Sequence, residues 1–232
     1  MKQAKHKEQS ENTEPKRPYP GLLITIEGTD GAGRTTQIEL LRNWLAIESY
    51  GVIISEWKTS RLLSQAIDQA KEKNLLNAYT FSLLYASDFA DRLENVIIPA
   101  LKAGLIVLTD RYTYTAFSRD VVRGVSPEWI RQLYDFAPKP DLIFYLSMPV
   151  EVLLKRIIGT SGLDYYESGR DIGLSTDFYE SFKLYQRKLL AEYSKMEKEY
   201  GFEKIDGTLP VDTIQNKMRK KVRELLDSGI LK

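Results

Sequence analysis

Residues 28–36 read Gly-Thr-Asp-Gly-Ala-Gly-Arg-Thr-Thr and follow directly on the run Leu22-Leu23-Ile24-Thr25-Ile26-Glu27. Gly28, Gly31 and Gly33 let a backbone turn with its N–H groups facing inward, and successive inward N–H groups make a concave anion site. An amphipathic stretch, Ile38-Glu39-Leu40-Leu41, comes next, and the positive end of a helix starting there adds to the same site. The spacing is that of the phosphate-binding pattern G-x-x-x-x-G-K-[ST], with Arg34 in place of the lysine. A nucleoside polyphosphate is therefore the expected ligand, its phosphates held by Gly28, Thr29, Asp30, Gly31, Ala32, Gly33, Arg34, Thr35 and Thr36. The Thr35 hydroxyl is expected on Mg²⁺. The plainer reading is a glycine-rich turn between a strand and a helix.

Other chemistry-bearing residues follow short apolar runs. Glu56-Trp57-Lys58 comes after Val52–Ser55, Asp110-Arg111-Tyr112 after Leu105–Thr109, and Asp206-Gly207-Thr208 after Phe202–Ile205. Asp110 can hold Mg²⁺ directly or through water, or cap the helix after Tyr112. Arg111 offers a planar fork suited to a phosphate shared by donor and acceptor; the alternative is a structural pair with Asp110 or Glu94.

The elements that must position these residues are read from periodicity. Short apolar runs, near-continuous in all but the first and last, predict strands at 22–27, 52–56, 105–109, 142–146 and 202–205. Helical patterns lie between them, around 35–49, 60–72, 77–103, 112–123, 127–136, 149–158, 175–198 and 211–228. Pro99 is expected to kink or end the third near Ile98. This alternation implies an α/β fold in three layers, a five-stranded parallel sheet between helices. Ligands in such sheets bind beyond the carboxyl ends of the strands, where the candidate residues fall. Residues 1–20 read as a flexible polar tail and 21–232 as a single domain. Gly159 to Gly173 breaks the rhythm with four glycines and no periodicity; it reads either as a solvated loop or as a mobile lid over the donor.

Composition narrows the chemistry. The 232 residues carry a net charge of +1, which gives no general drive toward nucleic acid or acidic membranes. There is no cysteine, so disulfides, thiolate catalysis and cysteine-bound metals are excluded, and a cytoplasmic location is expected. The one histidine, His6, lies in the tail. Catalysis without imidazole suits phosphoryl transfer, which relies on positioning and charge neutralisation more than on proton shuttling.

Four blocks resemble the thymidylate kinase family of nucleoside monophosphate kinases, P-loop NTPases in fold. They are Glu27 to Gln37, Leu83-Leu84-Tyr85-Ala86-Ser87-Asp88, Ile98-Pro99-Ala100-Leu101 through Gly104 to Asp110-Arg111-Tyr112, and Pro140-Asp141-Leu142 with Tyr145-Leu146. The resemblance implies a homodimer that uses ATP and Mg²⁺ to phosphorylate dTMP. By position it implies Asp30 near the acceptor sugar or its phosphate, Tyr85 stacked on the acceptor base, and Arg111 bridging the phosphates. Tyr85 read alone could equally be a core aromatic. Glu56, Lys58, Phe89, Thr115 and Asp120 complete the expected acceptor contacts, and Arg156 and Arg170 are the available lid cations.

The chain departs from the family pattern at four places. Arg34 replaces the loop lysine, and Glu56-Trp57-Lys58 stands where Arg-Glu-Pro is usual. Phe89 and Asp120 replace an arginine and a glutamine, and Asp164-Tyr165-Tyr166-Glu167 replaces an Asp-Arg pair in the lid. Two other functions stay open. One is a deoxynucleoside kinase, in which Glu56 is the base toward a sugar hydroxyl; the other is a nucleotide-binding regulator with little turnover.

Overall fold

The computed structural model describes residues 18–72, 76–159 and 162–231. The five strands are β1 (Leu22–Glu27), β2 (Val52–Glu56), β3 (Ile106–Asp110), β4 (Leu142–Ser147) and β5 (Glu203–Asp206), each within one residue of the run that predicts it. They form a fully parallel sheet in the order β2-β3-β1-β4-β5. The chain winds to one side of β1 through β2 and β3, then crosses to the other through β4 and β5. The winding changes direction at β1, where open parallel sheets leave a crevice at their carboxyl ends.

Strand periodicity separates two cores. Leu22, Ile24 and Ile26 point to one face with Ile106, Leu108, Phe144 and Leu146. There they meet Ile38, Leu41 and Leu45 of α1 (Arg34–Ile47) and Ile214, Met218 and Val222 of α9 (Val211–Asp227). Leu23, Val107, Ile143 and Tyr145 point the other way. They pack on Phe89 of α3 (Ala78–Arg92), Phe117 of α5 (Thr113–Val122), Ile130 of α6 (Pro127–Leu133) and Tyr193 of α8 (Phe178–Tyr200). Alternation with a period of two produces both faces. The same alternation turns Glu27, the last residue of β1, toward the second core.

The long helix expected over 77–103 does not end at Pro99. It runs as α3, widens into a π turn over Leu93–Ile97, and resumes as α4 (Ile98–Lys102). Proline lacks an N–H and clashes with the carbonyl four residues back; the π turn just ahead of it resets those carbonyls, and Ile98 N–H reaches Leu93 O instead. The helix expected from residue 60 begins later, as α2 (Ser64–Glu72). Asp88 accepts from the Lys58 and Ser60 N–H groups, and the Ser60 hydroxyl from those of Leu62 and Leu63. These side-chain acceptors offer the 58–63 backbone an alternative to the helix ladder.

Between α7 (Val150–Ile158) and α8, residues 162–173 are ordered by polar contacts. The Asp164 carboxylate accepts from Tyr166 and Glu167 N–H, and Ser168 is fully buried. Among the described residues no helix is long and apolar enough to cross a membrane. The tail expectation, His6 included, falls mostly outside the described residues.

Candidate active site

The loop joining β1 to α1 holds conformations that only glycine adopts cheaply. Gly28 has φ +148°, and a Cβ there would lie 2.9 Å from Leu146 O. Gly33, at φ +89°, is the N-cap of α1. The Arg34 side chain folds back over this loop: Nη1 donates to Gly28 O (2.6 Å) and Thr29 O (2.7 Å), while Nε donates to Asp110 Oδ1 (2.6 Å). A guanidinium can serve three acceptors in different directions because its donors form a rigid fork. Burial works against the Arg34 charge, but Asp110 and Asp30 outweigh it and raise the pKa. Thr35 Oγ1 donates to Asp110 Oδ2 at 3.3 Å, so the end of β3 is tied to the start of α1.

Asp30, at the loop's apex, gathers the cations. Its carboxylate accepts from Arg111 Nη2 and, at 2.7 Å, from Arg119 Nη2, with Arg34 Nη2 4.0 Å away. Burial pushes the Asp30 carboxyl up, but Arg111, Arg119 and Arg34 together hold it well below the usual range. Arg111 is itself in the left-handed region, φ +71°, an uncommon place for a residue with a side chain. Its N–H donates to Ile26 O (3.1 Å), and the next N–H, that of Tyr112, to Glu27 Oε1 (2.7 Å). Burial and then the neighbouring Arg119 and Arg34 lower its pKa. Three guanidiniums face two carboxylates, Asp30 and Asp110. The surplus of positive charge suits a polyphosphate.

Beyond this cluster opens a cavity of about 230 Å³. Arg111 and Arg119 form part of its wall, together with Trp57, Lys58, Phe81, Tyr85, Thr115, Asp120 and Glu167. The Phe81 and Tyr85 rings stack at 4.6 Å, and Trp57 lies 5.7 Å from Tyr85. Thr115 is fixed from behind, donating to Glu27 Oε2 at 2.7 Å. Glu27 is fully buried and also accepts from Tyr193 OH at 2.9 Å; burial pushes its carboxyl up, against these hydrogen bonds. Burial likewise raises Glu167 and pushes Asp120 up to about 6.

The structure therefore brings Asp30, Arg34, Thr35, Asp110 and Arg111 into one cluster, and Lys58, Tyr85, Thr115 and Asp120 into one cavity wall. Asp110 does not cap a helix, and Arg111 pairs with neither Asp110 nor Glu94. Arg156 lies against the loop, with Nη1 3.3 Å from Gly31 O and Nη2 3.4 Å from Gly207 O. Phe89, Glu56 and Arg170 lie outside both the phosphate cluster and the cavity wall. Phe89 is fully buried, stacked on Trp57 at 5.6 Å; Glu56 is exposed at the end of β2. Arg170 donates to Ser175 O and Thr176 O beside the Phe178 ring.

Sequence reasoning missed Arg119, Trp57, Phe81 and Glu167 as wall residues, and Glu27 as the support behind Thr115. Arg119 had a signal, since four residues from Thr115 on a helix is the same face. Among the described residues no cluster of three or more acidic or histidine side chains could hold a metal alone. The Thr35 hydroxyl beside the Asp110 carboxylate is a two-donor set, which fits Mg²⁺ when phosphates and water supply the rest.

A family model described as "Thymidylate kinase" matches residues 26–217, from the end of β1 into α9. The chain belongs to the thymidylate kinase family. It is 41% identical over 212 residues to "Probable thymidylate kinase 2" of Saccharolobus solfataricus, covering 90% of this chain and 99% of that relative. It is 30% identical over 215 residues to "Probable thymidylate kinase" of Thermococcus kodakarensis, covering 88% and 98%. "Thymidylate kinase" of Desulfotalea psychrophila is 32% identical over 208 residues, covering 89% and 96%. The thymidylate kinase match spans the phosphate loop, the Asp110-Arg111 pair and the cavity wall together.

Proposed function

We propose that this protein transfers the γ-phosphoryl group of ATP to dTMP, giving dTDP and ADP. One observation carries the reading: Asp30, on the phosphate loop, is clamped by Arg111 and Arg119, and both arginines also wall the aromatic cavity. A donor site and an acceptor site thus share one boundary, lined with guanidinium.

The loop amides and the α1 N-terminus hold the donor phosphates. Arg111 and Arg119 leave Asp30 in part to grip the phosphates on either side of the transferred group. The acceptor phosphate oxygen forms the new P–O bond as the bond to the ADP leaving group breaks, and fixed positive charge there is worth most as charge spreads in the transition state. An acceptor that is already a phosphate needs no strong base, which agrees with a cavity wall without histidine among the described residues. Mg²⁺, held through Thr35 and Asp110, supplies neutralising charge on the donor phosphates when bound. Arg34 locks the loop to β3, Arg156 lies over the loop, and the 162–173 segment closes over the acceptor cavity through Glu167. Trp57 and Tyr85 give the base its apolar faces.

Glu56, on which the deoxynucleoside kinase reading rests, is outside the cavity wall and exposed. The test is ADP release from Mg-ATP with a panel of deoxy- and ribonucleoside monophosphates and with thymidine. Turnover with dTMP above the rest is expected. Turnover with thymidine and none with dTMP, or ATP binding with no ADP from any acceptor, would overturn the proposal.

A further inference from the structure

Behind the cavity wall sits a charged pair that is not part of the wall. Asp88 and Arg92, one turn apart on α3, are 0% and 2% exposed, and neither lines the cavity. Arg92 Nη1 lies 3.8 Å from Asp88 Oδ2, and Nη2 donates to Ser55 Oγ at 3.0 Å. Its Nε and Nη1 have no hydrogen-bond partner among the described residues. Burial pulls the Arg92 pKa down to about 10, with Asp88 the first to oppose it, so the group stays charged at neutral pH.

A buried ion pair adds little to stability, because desolvation offsets the attraction and well-packed apolar side chains do as well. What this pair supplies is geometry, and both partners direct it at one loop. Asp88 accepts from Lys58 N–H at 2.9 Å and from Ser60 N–H at 3.0 Å. Lys58 has φ +60°, a left-handed backbone that a residue with a side chain keeps only where its surroundings dictate it. Arg92 ties down Ser55 at the other side of the loop and lies 5.5 Å from the Trp57 ring centre, within range for a cation over an aromatic face. Trp57 and Lys58, between these anchors, belong to the cavity wall.

We propose that Arg92 is a positioning residue for the acceptor: with Asp88 it clamps the loop from Ser55 to Ser60, so that Trp57 stands in the wall before the ligand arrives. This rests on the cavity being the acceptor site. Arg92 touches no substrate and acts through Trp57. A preformed wall spares the ligand the cost of ordering it, and a wall formed only part of the time weakens binding by that fraction.

The experiment measures Kd for dTMP and, separately, for a non-hydrolysable ATP analogue with Mg²⁺, together with kcat and KM. It uses the intact chain unmodified, as Arg92→Met, as Trp57→Ala, and with both substitutions. Circular dichroism confirms folding. Where Arg92→Met leaves Asp88 unpaired and does not fold, Asp88→Asn with Arg92→Met removes both charges and takes its place in both backgrounds. Arg92→Met is expected to raise Kd and KM for dTMP about tenfold, as when the competent loop is populated about a tenth of the time. Kd for the ATP analogue and kcat stay within about threefold, since only acceptor binding is affected. In the Trp57→Ala background the same substitution changes dTMP binding by about twofold or less, because no indole is left to place.

Unchanged dTMP affinity in a folded Arg92 variant overturns the proposal. Equal loss of both ligands also overturns it, since that marks a general loosening of the fold. An effect of the same size with and without Trp57 overturns it too, while leaving the acceptor site standing. Should Trp57→Ala alone bind dTMP as tightly as the unmodified chain, the acceptor-site reading beneath the proposal fails, and the proposal with it.

Discussion

At the scale of single residues, the site is organised by guanidinium groups in positions that lysine could not fill. Arg34 reaches two loop carbonyls and Asp110 at once, so Arg34→Lys leaves acceptors unserved. That variant is expected to lose about tenfold or more in kcat/KM, the equivalent of one charge-assisted hydrogen bond; a gain in steady-state assays would show arginine to be a handicap. Arg111→Ala removes a charge held at the donor–acceptor boundary and is expected to cost roughly two to four orders of magnitude in kcat/KM. Asp120 gives a prediction in stability. Burial raises its carboxyl from 3.8 to about 6, opposed by a Ser82 hydrogen bond and then by Arg123 and Arg119, with Tyr134 also nearby. A carboxyl whose pKa is higher folded than unfolded disfavours folding where it is ionised, and the penalty fades as pH falls through the folded value. Asp120→Asn should therefore stabilise the ligand-free protein by about 1–3 kcal/mol at pH 8 and by nothing below about pH 4, read as paired denaturation curves across pH.

At the scale of elements, what was legible in the sequence was what depends on neighbours along the chain. The central strands were visible because they are covered on both faces and so read as largely apolar runs, while edge strand β5 (Glu203–Asp206) carries a weaker signal. The phosphate loop was visible from glycine spacing, and Asp110 and Arg111 from their place at a strand end. Arg119 shares a helix face with Thr115, but its pairing with Asp30, 89 residues away, could not be read from the sequence. Trp57 and Glu167 reach the cavity from a loop and from the segment before α8, neither of which has a periodicity to read. Pro99 does interrupt the α-helical run near Ile98, but as a π turn over Leu93–Ile97 and not as an end, which spacing alone does not reveal.

That segment before α8 is pinned by one more long-range side chain. Buried Arg123, just past α5, donates to Asp171 Oδ2 (2.7 Å), Tyr185 OH (2.6 Å) and Tyr166 O (2.9 Å). Arg123→Ala leaves those buried acceptors unpaired, so residues 162–173 should open more often. Limited proteolysis is expected to cut within them at least about tenfold faster, with KM rising; unchanged cleavage would show the segment to be held by other contacts.

At the scale of the whole molecule, both cores share one sheet, and β1 contributes to each. Residues 21–232 are therefore expected to unfold in a single transition. Because the phosphate loop, β3 and α5 converge on Asp30 and Asp110, a ligand bound there braces elements from both faces. A non-hydrolysable ATP analogue with Mg²⁺, at about 100 times Kd, should add about 2.7 kcal/mol and raise Tm by about 5–10 °C. A thermal shift that needs no Mg²⁺ would detach Thr35 and Asp110 from the metal. The central claim is one of place: the donor phosphates lie on residues 28–35, the acceptor in the Trp57–Tyr85 cavity, and Arg111 with Arg119 between them. A crystal structure with dTMP, Mg²⁺ and a non-hydrolysable ATP analogue tests it directly. The account predicts the triphosphate along the loop amides and the dTMP phosphate on Arg111 and Arg119, with thymine between the aromatic walls. Triphosphate density away from that loop, or dTMP outside that cavity, would contradict it.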